Sequence, residues 1–516
     1  MPGHEIRSPL RRAGRRVLVA ALLGGAALHA ADLPPAAPPP PEAPPAAPPG
    51  PPGADSLVPG QVIRPIDLTS ALRLAGARDL DVAIARERVC EAVAELEQAR
   101  VLWLPSLFIG PNWIRHDGQA QVIEGPVRTI SKSSLFLGAT AAGGSSVSGP
   151  VPAGGPAQVS GLTTVLRISD AIFEPLAARQ VLTSRRAGVR TATNDALLGV
   201  AESYLDLQAA AGRLAIAREA AANADALVTL TEAYARTGAG LEADHQRSLA
   251  ERERRRGELE AALGELEVAS AEVIRRVRID PRVVVAPLEP PETVFRFVPE
   301  GRTVDELVVA GLRGRPELAE AQAFVDATLV RLRQAKLRPL IPSVAFRYSG
   351  GGFGGGPNGF FGDFASRSDA DVNLYWELQN LGLADRAIVR QRGAQQRIAL
   401  LEKLQVQDRV AAQVVAAEKA RLAADRQLAA AGRAVPAALQ SLELNFTNIR
   451  RAAGLPGATR PIEVLQPIQA LAQARADYLD AAIGHNRAEF RLLHAIGRPV
   501  GAPASPTAAA PSRPRG

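Results

Sequence analysis

The residue types that most often carry chemistry are sparse in this chain and lie apart. The six histidines are His4, His29, His116, His245, His485 and His494. No two of them form the His-Glu-x-x-His spacing that places two ligands on one helix face beside a general base. The single cysteine, Cys90, falls in a helical stretch. Alone it excludes a disulfide framework, a Cys-rich zinc site and a haem-attachment motif within one chain, and it reads as a small buried apolar residue. Gly350 to Gly356, followed by Pro357-Asn358-Gly359, has the composition of a phosphate loop. It lacks the P-loop lysine and opens no helix, so an exposed loop between strands fits it better. The expectation is a protein that performs no catalysis and holds no cofactor and no metal.

Charge gives no stronger lead to a ligand. The net charge of +7 comes from 60 basic and 53 acidic residues, interspersed along the chain. The densest basic run, Arg252-Glu253-Arg254-Arg255-Arg256, is flanked by glutamates and reads as a solvated helix face. A nucleic-acid surface would need a patch of one sign with aromatics for stacking, and the sequence shows neither.

The elements that must position any site are clearer than the site. One unit occurs twice, from about Asp67 to Asp280 and from about Thr303 to Gly497, roughly 237 residues apart. In each copy a helix ends in Leu104-Pro105-Ser106 or Ile341-Pro342-Ser343, and Glu97-Gln98-Ala99-Arg100 matches Arg333-Gln334-Ala335-Lys336. A strand, a Gly-rich loop, a second strand, a very long helix, a tight break and another helix follow. The six helices expected are 66–102, 171–237, 241–280, 303–340, 381–452 and 459–497. The long members approach 100 Å at about 1.5 Å per residue, so two shorter helices can stack end to end beside each. Leu259, Leu263, Leu266, Val273 and Val277 make a coiled-coil-like seam with Ser270 in the missing slot. Pro175 suits a first helical turn, whereas Pro436 should kink or interrupt its helix.

The strands alternate with period two. Val344, Phe346 and Tyr348 oppose Ser343, Ala345 and Arg347, and Val372, Leu374, Trp376 and Leu378 oppose Asp371, Asn373, Tyr375 and Glu377. A third strand is expected near 162–169; a fourth, near 107–114, is interrupted by Pro111; residues 127–137 supply an extra strand in the first loop. Of the 21 Phe, Trp and Tyr residues, 13 lie in the strand windows, so strands and helices meet different solvents. Apolar-out, polar-in alternation suits a lipid-facing barrel, or one face of a small soluble sheet. Four strands cannot close a barrel, for which about eight is the minimum, so a membrane barrel here must be shared between chains.

The ends read as targeting and spacer segments. Arg7, Arg11, Arg12, Arg15 and Arg16 precede the apolar stretch Val17 to Leu28, as in a secretory signal ending near residue 31. Residues 32–60 are a Pro/Ala-rich disordered linker and 501–516 a disordered tail. Between them lie a first repeat at 61–285, a linker at 286–302 and a second repeat at 303–500.

This order of elements resembles the TolC-like outer membrane efflux family over nearly all of Asp67 to Gly497. The resemblance rests on the duplicated unit, on Gln98-Ala99 through Leu104-Pro105 and its second copy, and on Leu374 to Gly382. It rests also on Tyr234-Ala235-Arg236-Thr237-Gly238 and on Ile462-Glu463-Val464-Leu465. It implies a mainly α fold with a small transmembrane β part: a homotrimer whose chains each give four strands to one outer-membrane barrel, continued by a long α-helical barrel. It further implies docking to a periplasmic adaptor (membrane fusion) protein and an inner-membrane pump, contact with outer membrane lipid, and passive export. The helix-hairpin tips, with Gly238, Gly240 and Leu241 in the first and Gly454, Leu455 and Gly457 in the second, would face the adaptor. Glu463 and Gln466 match the family's periplasmic gate positions, and three copies of Glu463 would form a carboxylate ring; Glu463 equally suits a helix N-terminus. The competing expectation is a periplasmic coiled-coil adaptor or an envelope scaffold without channel activity.

Overall fold

The computed structural model describes residues 63–121, 125–143, 145–146, 164–238, 240–299, 301–357, 359–451 and 461–498. All of them belong to one unit of the chain, Ser56–Gly516. The expected signal peptide, the 32–60 spacer, the 501–516 tail and the second tip with Gly454, Leu455 and Gly457 lie outside the described residues.

Two long helices organise the rest. α3 (Ile168–Arg236) and α7 (Leu383–Arg451) have 69 residues each, about 100 Å at the α-helical rise. α3 packs against α2 (Leu80–Arg100) on one side and α4 (Glu242–Val277) further along, and α7 packs likewise against α6 (Pro316–Leu337) and α8 (Leu465–Ala495). Each long helix therefore has two shorter ones alongside, as the lengths require. α6 also lies against α3, which joins the two repeats. The seam on α4 faces this core: Leu266, Val273 and Val277 are buried, and Leu259 and Leu263 pack at its margin. Ser270, in the polar slot, is buried, and its Oγ accepts the Val285 amide at 2.8 Å.

Two of the expected helices are each two helices. The stretch 66–102 breaks at Asp79 into α1 (Leu68–Arg78) and α2, because the Asp79 carboxylate caps the amides of Asp81 and Val82. The stretch 303–340 breaks at Arg315 into α5 (Val304–Gly314) and α6, because Pro316 has no N–H to continue the first helix but suits N1 of the second. Conversely α7 runs unbroken through Pro436, leaving one carbonyl a turn earlier without its helical donor. α8 is preceded by a 3-10 turn, Pro461–Val464. Cys90 is exposed, since α2 buries Val82, Ala92, Leu96 and Ala99 and Cys90 lies off that face. In the basic run Arg255, and beside the run Glu251, are each 8% exposed, so that helix face is turned partly inward.

Short strands flank the helical middle. β1 (Ile63–Ile66) pairs in parallel with β6 (Val284–Pro287), so part of the linker expected at 286–302 is a strand. The following segment is held to the helices by side chains. Asn486 Oδ1 accepts the Phe295 amide at 2.8 Å, and Glu489 Oε2 accepts those of Phe297 at 3.0 Å and Val298 at 3.2 Å. Phe295, Phe297 and Phe490 pack their rings together beside these bonds.

The larger sheet contains β2 (Pro105–Gln121), β3 (Val127–Gly143), β4 (Ser145–Ser146), β5 (Thr164–Arg167), β7 (Ser343–Gly356) and β8 (Ala365–Tyr375). All its pairings are antiparallel. β2 runs through Pro111, which faces Leu137 in register; β2 lies at a sheet edge, where a proline is tolerated. β3 and β5 lie along the same edge of β7, with Ala142 opposite Arg347 and Val165 opposite Ala345. The two segments read separately from the sequence, 127–137 and 162–169, thus share one place in the sheet. β4 pairs the other edge of β5, on the side where β2 pairs β3, so per chain the sheet has four strand positions: β2 with β4, β3 with β5, β7 and β8.

Candidate functional site

Register turns the alternation of single strands into two faces of a sheet. Residues directly opposite one another project to the same side. One face therefore carries Leu107, Ile109 and Trp113 of β2, Leu135 and Leu137 of β3, Phe346 and Tyr348 of β7, and Val372 and Leu374 of β8. Ile109 is 77% exposed, Val372 70% and Leu107 61%, far above what a core face shows. The opposite face carries Asn112, His116, Ser134, Arg347, Ser349, Arg367, Asp369 and Asn373, with Ile114, Phe136 and Phe353 among them. Arg367 sits over the Phe353 ring at 4.7 Å and pairs with Asp369 at 2.8 Å.

Tryptophans bracket the apolar face. Trp113 is level with Leu135 and, through it, with Gly354, while Trp376 follows Tyr375, the partner of Ser343. About 12 residues of β7 separate these levels, or roughly 40 Å along the strand. At the roughly 45° tilt of membrane barrel strands this projects to about 28 Å, close to the ~30 Å hydrocarbon core of a bilayer. The Trp113 indole N–H donates to Ser133 Oγ at 3.2 Å and that of Trp376 to the Leu340 carbonyl at 3.3 Å, so both rings are fixed in place. Among the described residues no helix is long and apolar enough to cross a membrane; the sheet is the element whose surface has that character.

At the far end of α3 the first tip is closed by backbone chemistry. Gly238 adopts φ +75° and its N–H donates to the Ala235 carbonyl at 3.1 Å, a helix stop that favours glycine. The Gly240 N–H reaches the Tyr234 carbonyl at 3.0 Å, and a Cβ on Gly240 would lie 3.0 Å from that of Tyr234. Leu241 then starts α4 with its side chain 57% exposed. Just behind the tip, Thr231 Oγ1 lies 2.7 Å from Ser248 Oγ and 3.4 Å from His245 Nδ1, tying α3 to α4.

Glu463 and Gln466 are both exposed at the turn into α8, while Val464, Pro467 and Ile468 between and beyond them are buried. Val464 and Ile468 join Leu227, Leu442, Ile449 and Leu471 in a separate apolar cluster, and the Tyr234 hydroxyl donates to the Ile449 carbonyl at 3.1 Å. This cluster links the first tip to the helix ends beside Glu463. One turn further in, burial alone would raise the Glu251 carboxyl, but hydrogen bonds from Arg254 and Arg255 outweigh it and hold the group below the usual carboxylate range. Within the chain, among the described residues, no group of three metal-ligating side chains occurs.

A charged cluster between α7 and α8 was not foreseen from the sequence. Arg421 pairs with Glu418 at 2.9 Å, Asp425 at 3.2 Å and Glu489 at 3.7 Å, and His485 Nδ1 lies 3.0 Å from Asp425 Oδ1. His485 is fully buried and Glu489 is 1% exposed. The i, i+3 and i, i+4 spacing of Glu418, Arg421 and Asp425 was a signal for helix pairing, but not for burial. Because Glu489 also accepts the amides of Phe297 and Val298, the cluster anchors the segment between the repeats and is structural in role.

No protein-family model and no curated protein matches the sequence. Solved structures do match. The chain is similar to the outer-membrane channel OprN at 17% identity, over 83% of this chain and 89% of that one, with a TM-score of 0.65. It is similar to CusC, whose structures concern folding and transmembrane channel formation, at 17% identity over 84% and 93%, with a TM-score of 0.66. It is similar to the open state of the MtrE outer membrane channel of Neisseria gonorrhoeae at 16% identity over 84% and 89%, with a TM-score of 0.65. At such identities a likeness speaks for architecture, and the fold here is the one these outer membrane channels share.

Proposed function

We propose that three copies of this chain form the exit duct of a tripartite efflux or secretion system, spanning the outer membrane and extending into the periplasm. The observation that carries the reading is the two-faced sheet: an exposed apolar face bracketed by Trp113 and Trp376, with mostly polar side chains on the other. Its outer strands, β2 and β8, each have one edge without a partner among the described residues. Unpaired edges cannot persist in lipid, where every backbone group needs a partner. Pairing β2 of one copy with β8 of the next satisfies both edges, and three copies close a barrel of 12 strand positions. The long helices continue below it, and the tip at Gly238, Gly240 and Leu241 meets an adaptor that couples the duct to an inner-membrane pump. The duct conducts passively and catalyses nothing. Glu463, beside Gln466, narrows it at the helical end by a ring of three carboxylates.

The test is planar-bilayer conductance of the full chain and of Glu463→Ala at varied calcium. Discrete steps in the unaltered protein support the duct; larger, less calcium-sensitive steps in the variant support the aperture. Identical steps in both would remove the aperture assignment alone. Absence of current in both would favour an envelope scaffold.

A further inference from the structure

The junction between sheet and helices differs between the two repeats. In the first, β5 passes directly into α3, and Asp170 and Glu174 of α3 accept hydrogen bonds from Gln334 at 3.1 Å each. In the second, Asn380 at φ 49° and Leu381 at φ 56° form a left-handed turn between β8 and α7. Two successive non-glycine residues in that region are costly, and such strain persists where the surroundings require it. The turn leaves the Leu381 side chain 95% exposed.

Beside this turn, between the end of α6 and the start of α7, lies a cavity of about 780 Å³. Lys336, Arg386 and Arg390 line it, with Pro339, Leu378 and Leu383. None of the three cations has an ion-pair or hydrogen-bond partner among the described residues. Asp385, also in the wall, is 8% exposed, and its Oδ2 accepts the Gln379 amide at 2.9 Å. The cavity thus keeps a surplus of positive charge. Exposed apolar side chains adjoin it: Leu378, in its wall, is 63% exposed, and Leu340, next in the chain to Pro339, 72%. Leu378 lies two residues beyond Trp376, whose indole N–H reaches the Leu340 carbonyl, so the cavity sits just on the helical side of the Trp376 level.

We infer that this cavity binds the headgroup phosphate of an anionic phospholipid from the leaflet nearer the helices. Lys336, Arg386 and Arg390 surround the phosphate, and Leu340, Leu378 and Leu381 lie along the acyl chains. The inference rests on the membrane-spanning reading of the sheet. Charge decides the occupant: basic residues at a membrane surface favour acidic lipid by roughly five-fold each, whereas an apolar surface alone would not distinguish lipids by headgroup.

The full chain in detergent, titrated with phosphatidylglycerol, phosphatidylcholine or inorganic phosphate and weighed by native mass spectrometry, tests this. Phosphatidylglycerol should stay bound and phosphatidylcholine should not. The triple variant Lys336→Gln, Arg386→Gln, Arg390→Gln should bind phosphatidylglycerol about 100-fold more weakly, and Arg386→Gln alone about five-fold, without loss of subunits. Equal retention of both lipids, or no change in the triple variant, would overturn the inference. So would displacement of the lipid by millimolar phosphate, which indicates a simple anion site, or dissociation of the variant particle, which indicates a neighbouring copy as the occupant. Insertion of the unaltered protein into phosphatidylcholine vesicles separates the two readings. Insertion without lipid preference removes only the cavity assignment, whereas failure to insert removes the membrane reading itself.

Discussion

Substituting Leu107 by arginine separates a lipid-facing sheet from a soluble one. Leu107 is opposite Ala141, which is opposite Tyr348, and that level lies midway between those of Trp376 and Trp113. If the apolar face meets lipid, Leu107→Arg places a guanidinium at the bilayer centre, at a cost of about 2–4 kcal/mol per chain. That corresponds to an equilibrium constant for folding and insertion lower by about 30- to 900-fold. If the sheet is soluble, a side chain already 61% exposed is being exchanged for another exposed one, and the change stays within about 0.5 kcal/mol. Ser106 is the control, since it is exposed, adjacent in sequence and on the opposite face. Ser106→Arg should insert almost normally because its charge enters an aqueous lumen. The assay is refolding into phospholipid vesicles, read by urea titration of the inserted fraction. Equal behaviour of the two arginine variants would refute the assignment of faces.

Other consequences concern packing and pH. Removing Arg421 leaves Glu418, 3% exposed, and Glu489, 1% exposed, without their shared cation, so Arg421→Ala should destabilise the helical body by about 3 kcal/mol in chemical unfolding. Gly351→Val places a side chain against the backbone of Gly138, whose α-carbon lies 2.6 Å from where a Cβ would stand, and should cost about 1–3 kcal/mol in the same assay. Because the Glu251 carboxyl is held below its usual range, its contribution is fully present above about pH 4–5 and is lost as pH falls through the lowered value. Unfolding midpoints should therefore drop on acidification below about pH 4, and Glu251→Gln should flatten that part of the profile.

Much of this architecture was legible because it is periodic. The period-two alternation of Val372 to Leu378 and the seam from Leu259 to Val277 each specified a face, and Ser270 in the polar slot proved to hold the Val285 amide. What escaped depends on partners distant in sequence. The breaks at Asp79 and Pro316 are capping events inside otherwise helical composition, and Pro436 is carried by a helix with long stretches on either side. Register between β2, β3, β7 and β8 could not be read strand by strand, yet it is register that joins Leu107 to Tyr348 on one face. The burial of Arg255 and of the Arg421 cluster was hidden because alternating charges look alike on solvated and packed helix faces. Of the candidate aperture, the sequence marked Glu463 and Gln466 through family resemblance. Both are exposed, whereas Val464, Pro467 and Ile468 are buried.

The central claim is that the open edges of β2 and β8 are closed between copies, and the number of chains in the membrane-competent particle tests it most directly. Native mass spectrometry of protein extracted from vesicles in which it conducts should give three chains per particle, matching 12 strand positions. A conducting particle of one chain, or of two chains with eight strand positions, would contradict the account.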